Sequence, residues 1–176
     1  MFDPTVFENL KVGIENIVYD LDNLDKKVLV TGRSDLLNMA VMSRSFVLQF
    51  ELTGQHETYA EIVLEAGVQD LAAEILEIPD ETPGCALKLR FTQTIEDVEA
   101  GCPVMAEIVQ RIWEPEVQPI QTVGFMYGEK PVRYLSTIEI GFSRKIHEEQ
   151  MGDLPKLVDY MLQTLAALNE AAARKS

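Results

Sequence analysis

Of the side chains able to do covalent chemistry, Cys102 has the most suggestive setting. Ala100-Gly101-Cys102-Pro103 precedes Val104, Met105, Ile108, Val109, Ile112 and Trp113. Their spacing of three and four predicts a helix with Pro103 in its first position and Cys102 as N-cap. A thiol there meets unpaired backbone N–H groups and the positive end of the helix dipole, which favour the thiolate. The chemistry this would allow is nucleophilic catalysis or redox sensing. Both need more than a thiol. A nucleophile requires a base, and the two histidines, His56 and His147, fall in segments that read as loops. No second cysteine stands at C-x-x-C spacing.

The nearest approach to a basic patch is Ser143-Arg144-Lys145-Ile146-His147, which makes Arg144, Lys145 and His147 candidates for an anion site. Glu148 and Glu149 follow at once, and no glycine-rich phosphate cradle accompanies them. Asp20, Asp22 and Asp25 form a loose carboxylate cluster, but a calcium loop would also need a glycine at its sixth position and a distal glutamate. His56 has no second histidine or cysteine near it in sequence. No metal and no cofactor is therefore expected. Adjacent carboxylates such as Glu148-Glu149 do not make an acid and base couple. Nothing matches a P-loop, a dinucleotide fingerprint, a nucleophile elbow or an H-E-x-x-H helix.

Charge narrows the partners. The 176 residues carry a formal net charge of −14, so nucleic acid and anionic lipid, both bound through clustered Lys and Arg, are excluded as partners. With 47% hydrophobic and 25% charged residues, the composition is that of a globular protein with a sizeable core, not a disordered chain. No run reaches the roughly 18 apolar residues of a membrane span. Met1-Phe2-Asp3-Pro4 lacks the basic start and apolar block of a secretory signal. A cytoplasmic address is expected, with Cys85 and Cys102 as free thiols rather than a disulfide.

The elements that must position these residues centre on 120–142. Two alternating runs, 120–127 and 132–142, flank the turn cluster Gly128-Glu129-Lys130-Pro131. In the second run Val132, Tyr134, Ser136, Ile138, Ile140 and Phe142 share one side, and Arg133, Thr137 and Glu139 the other. A second hairpin sets Phe46, Leu48, Phe50 and Leu52 against Ala60, Ile62 and Leu64. Cys85, Leu87, Leu89 and Phe91 alternate with Ala86, Lys88, Arg90 and Thr92, which directs Cys85 inward as an inert thiol. Val28 to Thr31 reads as a strand, with Gly32-Arg33-Ser34-Asp35 as the turn after it. Residues 36–42 fit strand or helix, with strand favoured.

Asp3-Pro4 is a helix start, and Phe7, Leu10, Ile14, Ile17, Leu21 and Leu24 form an apolar stripe behind it. That stripe either packs on the sheet of its own chain or pairs with a helix of another. Val68, Leu71, Ala72, Ile75 and Leu76 predict a short helix ended by Pro79, ahead of the connection Asp80-Glu81-Thr82-Pro83-Gly84. The helix through Trp113 closes at Glu114-Pro115-Glu116. A final helix begins near Asp153, with Pro155 in its first turn, Leu154, Leu157, Val158, Met161, Leu162, Leu165 and Leu168 on its apolar face, and Arg174 and Lys175 at its C-terminal end.

Together these elements predict one α+β domain over residues 1–176. It has an antiparallel sheet of about five or six strands, helices packed on one face, and long N- and C-terminal helices. The expected role is that of a non-catalytic, acidic cytosolic protein acting through a protein partner or as a homo-oligomer. The alternatives are an enzyme or redox sensor using Cys102, and a small-ligand binder with a pocket between sheet and helices.

Overall fold

The computed structural model describes residues 5–80, 82–113 and 117–174. The expected helix start at Asp3-Pro4, the helix close at Glu114-Pro115-Glu116, and residues Glu81 and Lys175 lie outside them. The architecture is α+β, a six-stranded antiparallel sheet with four helices. Its strands are β1 (Val28–Asn38), β2 (Ser43–Leu52), β3 (Thr58–Ala66), β4 (Ala86–Ile95), β5 (Ile120–Phe125) and β6 (Tyr134–Gly141). They lie in the order β1-β2-β3-β4-β6-β5, so β1 and β5 are the edges.

Period-two sequences make the interior strands. Phe46, Leu48 and Phe50 of β2, Ala60, Ile62 and Leu64 of β3, Leu87, Leu89 and Phe91 of β4, and Ile138 and Ile140 of β6 are all buried. Their cross-strand register, Phe50 with Ala60 with Phe91 with Ile138, stacks them on one side of the sheet. Removing each of the Phe, Leu and Ile side chains from water stabilises the fold by roughly 1.5–3 kcal/mol. Four helices accompany the sheet: α1 (Thr5–Asn23), α2 (Val68–Ile75), α3 (Val98–Trp113) and α4 (Leu154–Ala173). A short 3₁₀ stretch, Glu148–Asp153, leads into α4. Gln93 of β4 donates to the Leu168 carbonyl of α4, Cys102 of α3 reaches Ser136 of β6, and Lys11 of α1 reaches Asp35 of β1. These strand side chains are of the same parity as the buried apolar ones, so α1, α3 and α4 meet the sheet through that set.

Several expectations need correction. Gly32-Arg33-Ser34-Asp35 is not a turn, because β1 runs on to Asn38 through a bulge between Val30 and Gly32. One extra residue at Thr31 resets the alternation. Arg33 then pairs with Leu48, and Asp35 with Phe46, which turns both charged side chains toward α1. Within 36–42, residues 36–38 are strand and 39–42 turn. The central hairpin loop spans 126–133 rather than the four residues Gly128 to Pro131, since β5 ends at Phe125 and β6 begins at Tyr134. On α2 the expected stripe is largely exposed: Leu71 and Ala73 are buried, while Val68, Ile75 and Leu76 face water. A helix of eight residues meets little besides β3. On α1, Val18 joins Phe7, Leu10 and Ile14 in the core, and Leu24 lies exposed beyond the helix end.

Candidate binding surface

The strand residues of the other parity form the second face of the sheet. On this side Val63 and Thr92 are each about 1% exposed. The face that holds them is hollowed. Thr92 sits between Tyr59 of β3 and Thr137 of β6 in register, and its hydroxyl lies 3.0 Å from that of Thr137.

The hollow is a groove of about 810 Å³ between β3 and the β5 edge. Its floor carries Tyr59, Glu61, Arg90, Thr92, Thr122 and Thr137. Phe125, Met126, Glu129, Arg133 and Tyr134 line the end where the β5–β6 loop lies. Gly128, with φ of +86°, supplies a backbone conformation in that loop that side chains resist. Arg133 is tied to Glu129 at 3.1 Å, and Phe125 packs edge-on against Tyr134 with ring centres 5.5 Å apart.

Charge in the groove is nearly balanced. Arg90 donates to Glu139 at 3.0 Å across the β4–β6 pair. Burial pushes the Glu61 carboxyl above its ordinary range, opposed by the nearby charge of Arg90. What the groove offers is hydroxyls, the ion pairs Arg90–Glu139 and Arg133–Glu129, and a rim of apolar surface. Of that rim, Phe125 is 60% exposed and Met126 71%, and Tyr127, the next residue in the loop, is 99% exposed. Such a setting suits binding by contact and hydrogen bond.

The residues singled out from sequence lie elsewhere. Cys102 is not an N-cap. Asp97 takes that place, accepting from the Ala100 N–H at 3.2 Å, and the helix starts at Val98. Gly101, expected ahead of the helix, and Pro103, expected at its first position, are both inside α3, and Gly101 lets the helix approach Ile95, where a Cβ would stand 3.1 Å from its Cδ1. The half-buried Cys102 Sγ lies 3.9 Å from Ser136 Oγ, and its carbonyl accepts from Gln121 at 3.2 Å. His56 pairs with Glu51 at 2.5 Å, and His147 Nδ1 lies 2.8 Å from the Pro83 carbonyl oxygen, so each histidine has its partner away from the thiol.

Arg144, Lys145 and His147 do not converge. Lys145 pairs with Asp70 of α2, His147 packs against the 83–84 backbone, and Arg144 is exposed. Two of the three fasten their segment to its neighbours, beside the Cys85–Ile146 bridge. Cys85 is buried and its thiol is pushed up to about 12, by burial first and then by the charges of Asp70 and Glu74. The pocket expected between sheet and helices is not the hollow found, which opens on the opposite face; a smaller cleft lies between α3 and α4.

Among the described residues no group of three or more His, Cys, Asp or Glu side chains could hold a metal ion. No helix is long and apolar enough to cross a membrane. Sequence reasoning did not single out Tyr59, Thr92, Thr122 and Thr137 as a site, although alternation had already placed Thr92 and Thr137 on outer faces. Comparison with protein-family models, with curated proteins and with solved structures returns no match to this chain.

Proposed function

We propose that this chain is a non-catalytic, cytoplasmic binding protein that holds a partner protein on the concave face of its sheet, the helices covering the other face. The observation that carries the reading is the pair Phe125 and Met126, two large apolar side chains in water along the lining of a groove, with Tyr127 exposed next to them in the same loop. Apolar surface so concentrated gains roughly 25 cal/mol for each Å² that a partner covers. Threonine hydroxyls and the Arg90–Glu139 pair would then fix orientation, as polar groups do around an apolar centre. The unpaired thiols Cys85 and Cys102 are in keeping with a reducing compartment.

Quantitative capture from an extract of the source cells tests this. The full chain is compared with Leu135→Glu, a charge placed in the groove lining, and with Leu24→Glu, a charge on an exposed leucine beyond α1. Proteins retained by the parent and by Leu24→Glu but lost with Leu135→Glu are the expected result. Equal retention by the parent and both variants would remove the groove as the binding surface.

A further inference from the structure

The two edges of the sheet are built differently. β1 is bent by the bulge at Thr31 and carries Arg33 and Asp35, features that hinder another strand from adding to it. β5 pairs with β6 through every residue from Ile120 to Phe125 without a bulge, and holds no charge and no proline. Its outward backbone groups meet no partner among the described residues. Ile120 at one end is 64% exposed and Phe125 at the other 60%. An edge left so open is a template for strand addition.

Charge identifies the occupant. No charged residue lies between Glu116 and Glu129, in a chain whose formal net charge is −14. Two copies of so acidic a chain repel over most of their surfaces, and this stretch lets them touch without setting carboxylate against carboxylate. A basic partner would find its complement on the acidic surface instead.

We propose that β5 is a self-association edge, at which two copies pair β5 with β5 antiparallel about a two-fold axis. Residues opposite one another in an antiparallel pair project to the same face of the sheet. Keeping the helices of both copies on one side therefore requires residues of like parity to face each other. A register centred on Val123 does so: Thr122 faces Gly124 of the second copy, Gln121 faces its Phe125, and Ile120 faces its Met126. The register covers the exposed side chains at both ends of the strand. Thr122 and Gly124 also line the groove, so the two grooves would adjoin across the axis. The proposal goes beyond the partner-binding reading and stands without it, because it is read from mass alone.

Sedimentation equilibrium of the full chain between about 1 and 500 μM tests it, a range spanning the affinities a short strand interface can give. The expected result is a weight-average mass rising toward twice that of the chain, at lower concentration as salt screens the repulsion. Thr122→Glu, which sets a carboxylate beside the axis in both copies, should keep the mass at the monomer value. Leu29→Glu on the β1 edge should leave the doubling unchanged. Hydrogen exchange on the parent should show β5 amides gaining protection with concentration, whatever the variants do to folding. A parent that stays monomeric throughout, a Thr122→Glu chain that doubles like the parent, or loss of the doubling in Leu29→Glu would each overturn the proposal.

Discussion

Lys11 Nζ lies 2.9 Å from Asp35 Oδ2, and the lysine that spans from α1 to β1 is only 8% exposed. Glu8 adds a second contact to the same ammonium at 3.1 Å. Arg44 binds Glu8 at 2.8 Å and Asp35 at 3.1 Å, with its guanidinium 4.6 Å from the centre of the Phe7 ring. The network fastens α1 to the β1–β2 hairpin, and it exists because the bulge at Thr31 turns Asp35 inward. Removing one member leaves the others desolvated with too few partners. Asp35→Asn is expected to cost about 2–3 kcal/mol, read from the midpoint of urea unfolding.

The same network gives stability a defined pH dependence. Burial opposes ionisation of Glu8 and Asp35, but hydrogen bonds and charge from Lys11 and Arg44 outweigh it and hold both carboxyls below their ordinary values of 4.5 and 3.8. Near pH 4 the unfolded chain therefore binds more protons at these sites than the folded one, so stability rises with pH there. Their contribution is fully present above about pH 5 and is lost as pH falls through the depressed folded values. Lys11 runs the other way: opposed by burial, its carboxylate partners raise it above 10.5, so its contribution is full below 10.5 and is lost as pH rises through the raised value. Urea midpoints from pH 2 to 7 should fall on the acid side, and Asp35→Asn should flatten the slope.

Much of the fold is legible in the chain because interior strands obey period two. Phe46, Leu48 and Phe50 announce β2, and Cys85, Leu87 and Leu89 point inward as their alternation requires. What hides is structure set by distant contacts. The bulge at Thr31 breaks the period in β1, so a glycine beside two charged residues resembles a turn until α1 supplies Lys11 and Glu15 as partners. Asp97 is a good N-cap, but Gly101 and Pro103 mask it, and only the close approach of α3 to Ile95 explains that glycine. The groove is the least legible feature. Threonines in alternating strands look like any wet strand face, and the burial of Thr92 depends on its neighbours on β3 and β6.

Glu61 offers a test of that hollow. Burial raises its carboxyl while Arg90, whose nearest acceptor is Glu139, opposes the shift only in part. A carboxyl raised in the folded state binds its proton more tightly there than when unfolded, so ionising it costs stability as pH rises past 4.5. Glu61→Gln removes that cost. The variant is expected to be more stable than the parent at pH 7 by less than about 1 kcal/mol, with the difference vanishing below pH 4. A flat, solvated sheet face would give no gain at either pH.

The two thiols should separate cleanly. Cys85 is buried at its bridge to Ile146, and with its thiol pushed up to about 12 it remains protonated at pH 8. Iodoacetamide followed by mass spectrometry is expected to label Cys102 alone in the native chain, and both cysteines in urea. Labelling of native Cys85 would mean that its segment opens readily.

That segment is itself held by a close approach. Gly84 is buried, and a Cβ at this position would stand 2.6 Å from the His147 ring and 2.9 Å from the Ile146 carbonyl oxygen. The second of these is backbone, fixed by the paired hydrogen bonds between Cys85 and Ile146, at 2.9 and 2.8 Å, and it has no rotamer by which to yield. Gly84→Ala therefore has to push the 146–147 chain outward, at a cost of about 1–3 kcal/mol. His147→Ala takes away the ring and the contact with the Pro83 carbonyl but leaves the backbone clash, so it should rescue Gly84→Ala only in part. A double-mutant cycle by urea unfolding measures this. Full rescue would show that the ring alone makes Gly84 necessary. Partial rescue assigns the rest to the Ile146 carbonyl, and gives His147 its place in the fold as a brace between two loops.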